Sequence, residues 1–155
     1  MSYLAIKWLH ILSSTVLFGT GLGSAFYMYF ASRTRDARVV AVVVKHVVIA
    51  DFIFTTPAII VQPLTGFYLA HLAGFPLTSE WIYWSVWLYL LAGAAWLPVV
   101  WMQIRMRDFA ISAARTGEPM PEQYWRYLRI WVSLGVVAFS ALVVVFYLMV
   151  AKPVL

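Results

Sequence analysis

Two histidines and one carboxylate stand in stretches whose other side chains suit only lipid or a packed core: His10, Asp51 and His71. A neutral imidazole nitrogen donates to iron or relays a proton, and a carboxylate takes up and releases one. In hydrocarbon such groups cost several kcal/mol unless they are paired, wetted or ligated, so each one is a candidate for function. His10 lies about two turns into the first apolar run and His71 at the far end of the second. If the two runs are antiparallel neighbours, both histidines reach the same third of the membrane, where they can flank a planar cofactor such as haem b. Lys7, one turn before His10, is placed to meet a propionate. Ser14 and Gly21 share the His10 face, and a flat ring can lie against a position without a side chain. The plainer reading leaves both histidines as hydrogen-bonding groups at the interface, and treats Gly19 and Gly23 as a G-x-x-x-G helix contact.

A second constellation lies between the histidines. At 100° per residue Asp51, Thr55, Gln62 and Thr65 fall within about 80° of one another, a polar stripe expected to face the bundle interior. Such a stripe is a route for a proton or a small solute. Pro57 and Pro63 interrupt the same segment, and each removes a backbone amide, so the stripe also reads as hydroxyls and an amide that serve the freed carbonyls. Asp51 has its own ordinary reading, as a carboxylate paired with Lys45, His46 or an arginine of the third helix.

Hydropathy sets the framework that carries these groups. Of the 155 residues 64% are hydrophobic and 11% charged, against about 25% charged in soluble domains. The mean hydropathy is +0.86. Four runs exceed the roughly 20 residues that cross about 30 Å of hydrocarbon, and they lack the alternation of transmembrane strands. The expected fold is all-α, one four-helix transmembrane bundle over residues 1–155, with helices at about 3–30, 39–72, 81–109 and 123–150. The second run, residues 38–72, would be about 52 Å long as a straight helix, so part of it must bend or leave the membrane. The first run is too long for the apolar part of a signal peptide and lacks a small-residue exit, so it is expected to stay as an uncleaved helix.

Arginines crowd the first and third connections, Arg33, Arg35 and Arg38 in one and Arg105, Arg107, Arg115, Arg126 and Arg129 around the other, while the second has none. The positive-inside rule then puts both termini on the outer, periplasmic side of a bacterial inner membrane. The net charge of +5 is accordingly a topology signal, and no nucleic-acid partner is implied. Trp81, Tyr83, Trp84, Trp87 and Tyr89 form an aromatic belt at the outer end of the third helix. The helical continuation from Gln103 to Arg115 reads as an amphipathic extension held by anionic head groups. The sequence has no cysteine, which excludes disulfides, thiolate metal sites and thioether-linked haem. It has no G-x-S-x-G, no H-E-x-x-H and no phosphate loop, so hydrolysis and phosphoryl transfer are poor fits.

The opening Tyr3-Leu4-Ala5-Ile6-Lys7-Trp8-Leu9-His10 resembles the Lys-x-x-His start of HemJ-type protoporphyrinogen oxidases and CopD-like copper-resistance proteins. That resemblance covers one helix and implies haem association at His10. The third helix lacks the Lys and His that HemJ-type proteins carry there, a departure from porphyrin oxidation. The chain as a whole, including Ala50-Asp51-Phe52, Gln62-Pro63-Leu64-Thr65-Gly66 and Leu97-Pro98-Val99-Val100-Trp101, resembles a bacterial family of predicted four-span membrane proteins of unknown function. The leading expectation is a small b-type haem protein that passes electrons, with quinone or porphyrin as partner. The alternatives are a transporter using the stripe from Asp51 to Gln62 and a membrane scaffold subunit, with the Gly19/Gly23 face open to a second copy of the chain.

Overall fold

The computed structural model describes residues 2–153 and is helical throughout, with short connections. In chain order the five α-helices are α1 (Tyr3–Arg33), α2 (Ala37–Ala50), α3 (Thr56–Leu72), α4 (Glu80–Thr116) and α5 (Glu122–Ala151). A single π-helical turn, Asp51–Thr55, joins α2 to α3 without a break. Four stretches are long and apolar enough to cross a bilayer, namely Tyr3–Arg33, Ala37–Leu72, Glu80–Thr116 and Glu122–Ala151. α4 stays helical to Thr116 rather than ending near residue 109.

Local chemistry explains the ends. Ser2 caps α1 by accepting from the Ala5 amide, and Asp36 caps α2 by accepting from the Arg38 amide at 2.8 Å, each satisfying a donor that the first turn leaves free. α4 stops at Gly117, whose φ of 74° terminates a helix without a Cβ clash. Arg35 turns the chain between α1 and α2 with φ 56°, a left-handed conformation that costs a non-glycine residue about 1–2 kcal/mol. Its guanidinium lies 5.7 Å from the Trp125 ring, which ties that turn to α5.

The π-turn has an equally local cause. Pro57 has no amide to give the α-helical ladder, so the backbone widens by one residue before it. The Thr56 amide instead reaches the Asp51 carbonyl five residues back, and the Thr56 hydroxyl bonds the same carbonyl at 2.9 Å. The extra residue rotates α3 relative to α2.

The core lies at the arginine-rich end. Val40, Val44 and Val47 of α2 recur every three or four residues and bury against Met102, Met106 and Ala110 of α4, with Met28 of α1 and Tyr124 and Leu128 of α5 closing the cluster. Ser32 and Tyr124, both fully buried, share a hydrogen bond of 2.6 Å. A helix of 37 residues is about 55 Å long, well beyond the hydrocarbon thickness. Toward the other end the helices separate into an α1/α3 pair and an α4/α5 pair. There Phe18 of α1 meets α5, its ring 4.3 Å from Phe139 at a tilt of 31° and edge-on to Phe146 at 5.3 Å.

Candidate functional site

The expected stripe divides in two. Gln62 and Thr65, beyond the π-turn, face α1 and meet His10. The His10 Nδ1 lies 2.8 Å from the Thr65 hydroxyl, and its Nε2 lies 3.2 Å from the Gln62 amide nitrogen. Ser13 donates to the Gln62 carbonyl oxygen. The Thr65 proton is directed to the Val61 carbonyl at 2.7 Å, so the Thr65 oxygen accepts from Nδ1–H, and Nε2 in turn accepts from the Gln62 amide. These contacts fit a neutral ring protonated at Nδ1, with the single Ser13 hydroxyl proton shared between the Gln62 side chain and the His10 carbonyl at 3.0 Å. Gly66 completes the fit: a Cβ there would stand 3.2 Å from the His10 ring, tight enough that the imidazole would have to shift by a few tenths of an ångström.

The other groups singled out for a cofactor are dispersed. His71 is exposed on the last turn of α3 and makes no side-chain hydrogen bond. Lys7 is exposed with its Nζ 5.9 Å from the Tyr3 ring. The Ser14 hydroxyl is spent on the Ile11 carbonyl at 2.7 Å. Among the described residues no cluster of three or more His, Asp or Glu forms a metal cage.

Asp51 and Thr55, on the π-turn, form the second cluster. Both are buried, and Thr55 donates to the Asp51 carboxylate at 2.8 Å. The other polar partner is the Gln103 side chain of α4. The expected pairing with Lys45, His46 or an arginine of the third helix is not formed. Lys45 and His46 are exposed on α2, with His46 Nδ1 bonded to the Val42 carbonyl at 2.7 Å, and of the arginines of the third helix Arg107 pairs with its neighbour Asp108. The phase explains this: α2 turns its valines into the core, which leaves Lys45 and His46 on the outer side. Asp51 is a buried carboxylate with neutral partners.

That cluster ends a half-open cavity of about 360 Å³ bordered by α1, the π-turn, the start of α3, α4 and α5. The volume is at the lower end of the range for small-molecule sites. Three glycines make the room. Gly21 of α1, Gly93 of α4 and Gly135 of α5 all line the space, and a Cβ on any of them would meet nothing within 4 Å. Leu17, Phe18, Val132 and Phe139 line the apolar remainder. Three buried polar atoms without a hydrogen-bond partner belong to residues that line it too: Gln103 Oε1, Trp96 Nε1 and Trp131 Nε1. Leaving such an atom unpaired costs about 1–3 kcal/mol, so three on residues that border one cavity need an explanation.

Tyr89, expected in the belt, turns inward instead. Its hydroxyl donates to the Ile59 carbonyl at 2.7 Å, the carbonyl whose α-helical donor would be the amide that Pro63 lacks. Trp84 and Trp87 remain about half exposed, as a belt requires. Sequence reasoning missed Ser13, Gln103, Trp96, Trp131, Gly93 and Gly135. Gln103 did carry a signal, a lone amide where the apolar run gives way to arginines. The two tryptophans carried none, because membrane helices are rich in aromatics of every role.

No curated protein and no solved structure matches the chain. The sequence family described as predicted integral membrane protein (DUF2269) matches residues 4–153. Nearly the whole chain, with its four apolar spans, lies within that match, and the protein belongs to this family of integral membrane proteins.

Proposed function

We propose that the protein binds a lipid-soluble small molecule inside the bundle, in the cavity between α1, α4 and α5, and exchanges it with the bilayer through the α1/α5 seam. The observation that carries this reading is the coincidence, on one glycine-walled space, of a buried carboxylate with neutral partners and three unpaired polar atoms. Packing alone does not favour such a space, since an empty cavity forfeits contact energy and orphan polar atoms add to the cost. A bound ligand restores the lost contacts. At about 30 Å³ per water-sized group, the cavity takes roughly a dozen non-hydrogen atoms. The polar groups gather toward the arginine-rich end, and the apolar lining from Leu17 and Phe139 runs toward the other, so the ligand lies along the bundle with its polar group at Asp51. By the positive-inside rule that end faces the cytoplasm of a bacterial inner membrane. The ligand then sits at the depth of the inner leaflet.

Replacing Gly93 or Gly135 by Leu fills the cavity from two different helices. Organic extraction and mass spectrometry of the purified protein are expected to recover a small molecule in near-stoichiometric amount from the wild type and much less from either variant. Equal recovery from all three would place the molecule elsewhere on the protein and overturn the reading.

A haem-linked redox role at His10 has less support. Both ring nitrogens have side-chain partners, the ring edge packs on Gly66, and His71 is exposed elsewhere on α3. These residues as arranged do not fit a porphyrin, because Nε2 reaches iron only if Gln62 leaves it. An optical spectrum of the same preparation decides the matter: a Soret band lost in His10→Ala would restore the haem reading.

A further inference from the structure

We infer that the molecule held in this cavity is an anionic phospholipid of the bilayer, with one acyl chain lying between α1 and α5 and its phosphate meeting Arg33, Arg35 and Arg129 where the seam ends; the inference rests on the binding reading above and names the ligand class. Shape comes first. The lining runs from Leu17 to Tyr29 on α1 and from Trp131 to Leu142 on α5, about 18 Å along the bundle at 1.5 Å per residue. Spread over that length, a volume of about 360 Å³ leaves a section of about 20 Å², the width of a single hydrocarbon chain. The cavity also opens sideways. Leu22 and Val136 line it and yet are 52% and 61% exposed, so they stand at a mouth between α1 and α5, on two segments long and apolar enough to cross a bilayer. Such a mouth faces hydrocarbon, and a lipid chain enters it without passing through water.

Charge then selects the head group. α1 and α5 run antiparallel, as the pairs Phe18–Phe139, Ser32–Tyr124 and Arg35–Trp125 show. At 100° per residue Phe18, Leu22, Tyr29 and Arg33 share one side of α1, and Phe139, Val136, Val132 and Arg129 share the facing side of α5. The two arginines therefore continue the rims of the mouth, each about one turn beyond the last apolar or aromatic residue that lines it. Both are exposed, and among the described residues neither side chain has an ion pair or a hydrogen bond. Arg35 joins them from the connection, its guanidinium 5.7 Å from the Trp125 ring. Of the acids at this end, Asp36 is committed to the α2 cap at 2.8 Å, and Glu122 lies two turns beyond Arg129, so the end of the seam carries net positive charge. A phosphate fits there, because guanidinium groups take phosphate oxygens in pairs. A choline head group brings its own cation and gains less from the same arginines. The chain leaves the cavity at the Asp51 end, so the phosphate lies beyond Asp51 and does not depend on its charge.

The test compares lauroyl lysophosphatidylglycerol with lauroyl lysophosphatidylcholine, which share one chain and differ in head-group charge. Native mass spectrometry of the purified protein in a non-ionic detergent counts the bound probe. The wild type is expected to take up one glycerol probe with a preference on the order of 10- to 100-fold over the choline probe, the worth of two or three arginines at a surface phosphate. Arg33→Gln combined with Arg129→Gln is expected to remove most of that preference and leave the choline probe unchanged. Arg105→Gln is the control and is expected to keep the preference, since Arg105 packs on Phe109 against Tyr127, across α5 from the seam. Gly135→Leu is expected to lose both probes. Equal wild-type affinities, both lost in Gly135→Leu, would overturn the anionic-lipid inference and leave the cavity reading standing. Binding undiminished by Gly135→Leu would seat the lipid on the surface and overturn the inference, as would a wild type that binds neither probe; the recovery of a bound molecule from the glycine variants then judges the cavity reading separately. Should Gly135→Leu not accumulate, Gly93→Leu takes its place.

Discussion

At the scale of single residues, the molecule answers Pro63 with a specific partner. Tyr89 donates to the carbonyl that Pro63 leaves without an amide, so Tyr89→Phe is expected to destabilise the protein by about 1–3 kcal/mol. The check is a denaturation midpoint in detergent, paired with Pro63→Ala. If the alanine amide restores the helical bond, the tyrosine change costs much less in that background; an equal cost in both backgrounds would sever the link between the two residues. The His10 network makes a spectroscopic prediction. Its geometry gives a neutral imidazole protonated at Nδ1, visible in ring ¹⁵N shifts, and Thr65→Val is expected to disturb that pattern by removing the acceptor 2.8 Å away. His10 was legible in the sequence because an ionisable group in an apolar run is rare, whereas its partners were only half legible. Gln62 and Thr65 stood out as polar, but Ser13 looked like any small residue of a helix interface. The role assigned to His10 did not follow from its rarity: a histidine whose two ring nitrogens are satisfied by neighbours and a histidine awaiting iron look alike in a sequence.

At the scale of elements, the π-turn at Asp51–Thr55 decides which polar group faces which helix. Phase carried at a constant 100° per residue puts Asp51 and Gln62 on one stripe; the extra residue breaks that stripe, sending Gln62 and Thr65 to α1 and Asp51 to the cavity. Sequence inspection located the disturbance, from Pro57, without its form, because a proline is met equally by a kink or by a widened turn. Deleting Ile53, an exposed residue of that turn, removes the extra residue and sets α2 and α3 out of phase. Its denaturation midpoint is expected to fall well below that of Ile53→Ala, which removes the side chain and keeps the count. Matching midpoints would mean that the widened turn carries no register. The helices themselves were legible from hydropathy, since length and apolarity are additive properties of a segment. The cavity was not, because it arises only when Gly21, Gly93 and Gly135, far apart in the chain, meet across three helices.

At the scale of the whole molecule, a tight cluster of valine, methionine and tyrosine holds one end together while the other opens around a ligand-sized space. Rigidity and access are thus separated along the bundle axis. The arginines mark the tight end, and the expectation that both termini face outward is testable in a chain free of cysteine. With single cysteines introduced, Ser2→Cys and Pro76→Cys are expected to react with an impermeant maleimide in intact cells, and Arg35→Cys and Thr116→Cys only after lysis. The reverse pattern would invert the topology and carry the Asp51 end to the outer leaflet. On the proposed function, the unpaired groups around the cavity are held for a ligand. The decisive observable is the indole ¹H–¹⁵N spectrum of the detergent-purified protein during titration with lauroyl lysophosphatidylglycerol, each signal assigned by its Trp→Phe variant. Trp96 and Trp131 are expected to shift together and saturably, and both shifts are expected to vanish in Gly135→Leu while the exposed Trp84, Trp87 and Trp101 stay in place. Shifts confined to the exposed tryptophans, or unchanged by Gly135→Leu, would contradict ligand binding in the cavity.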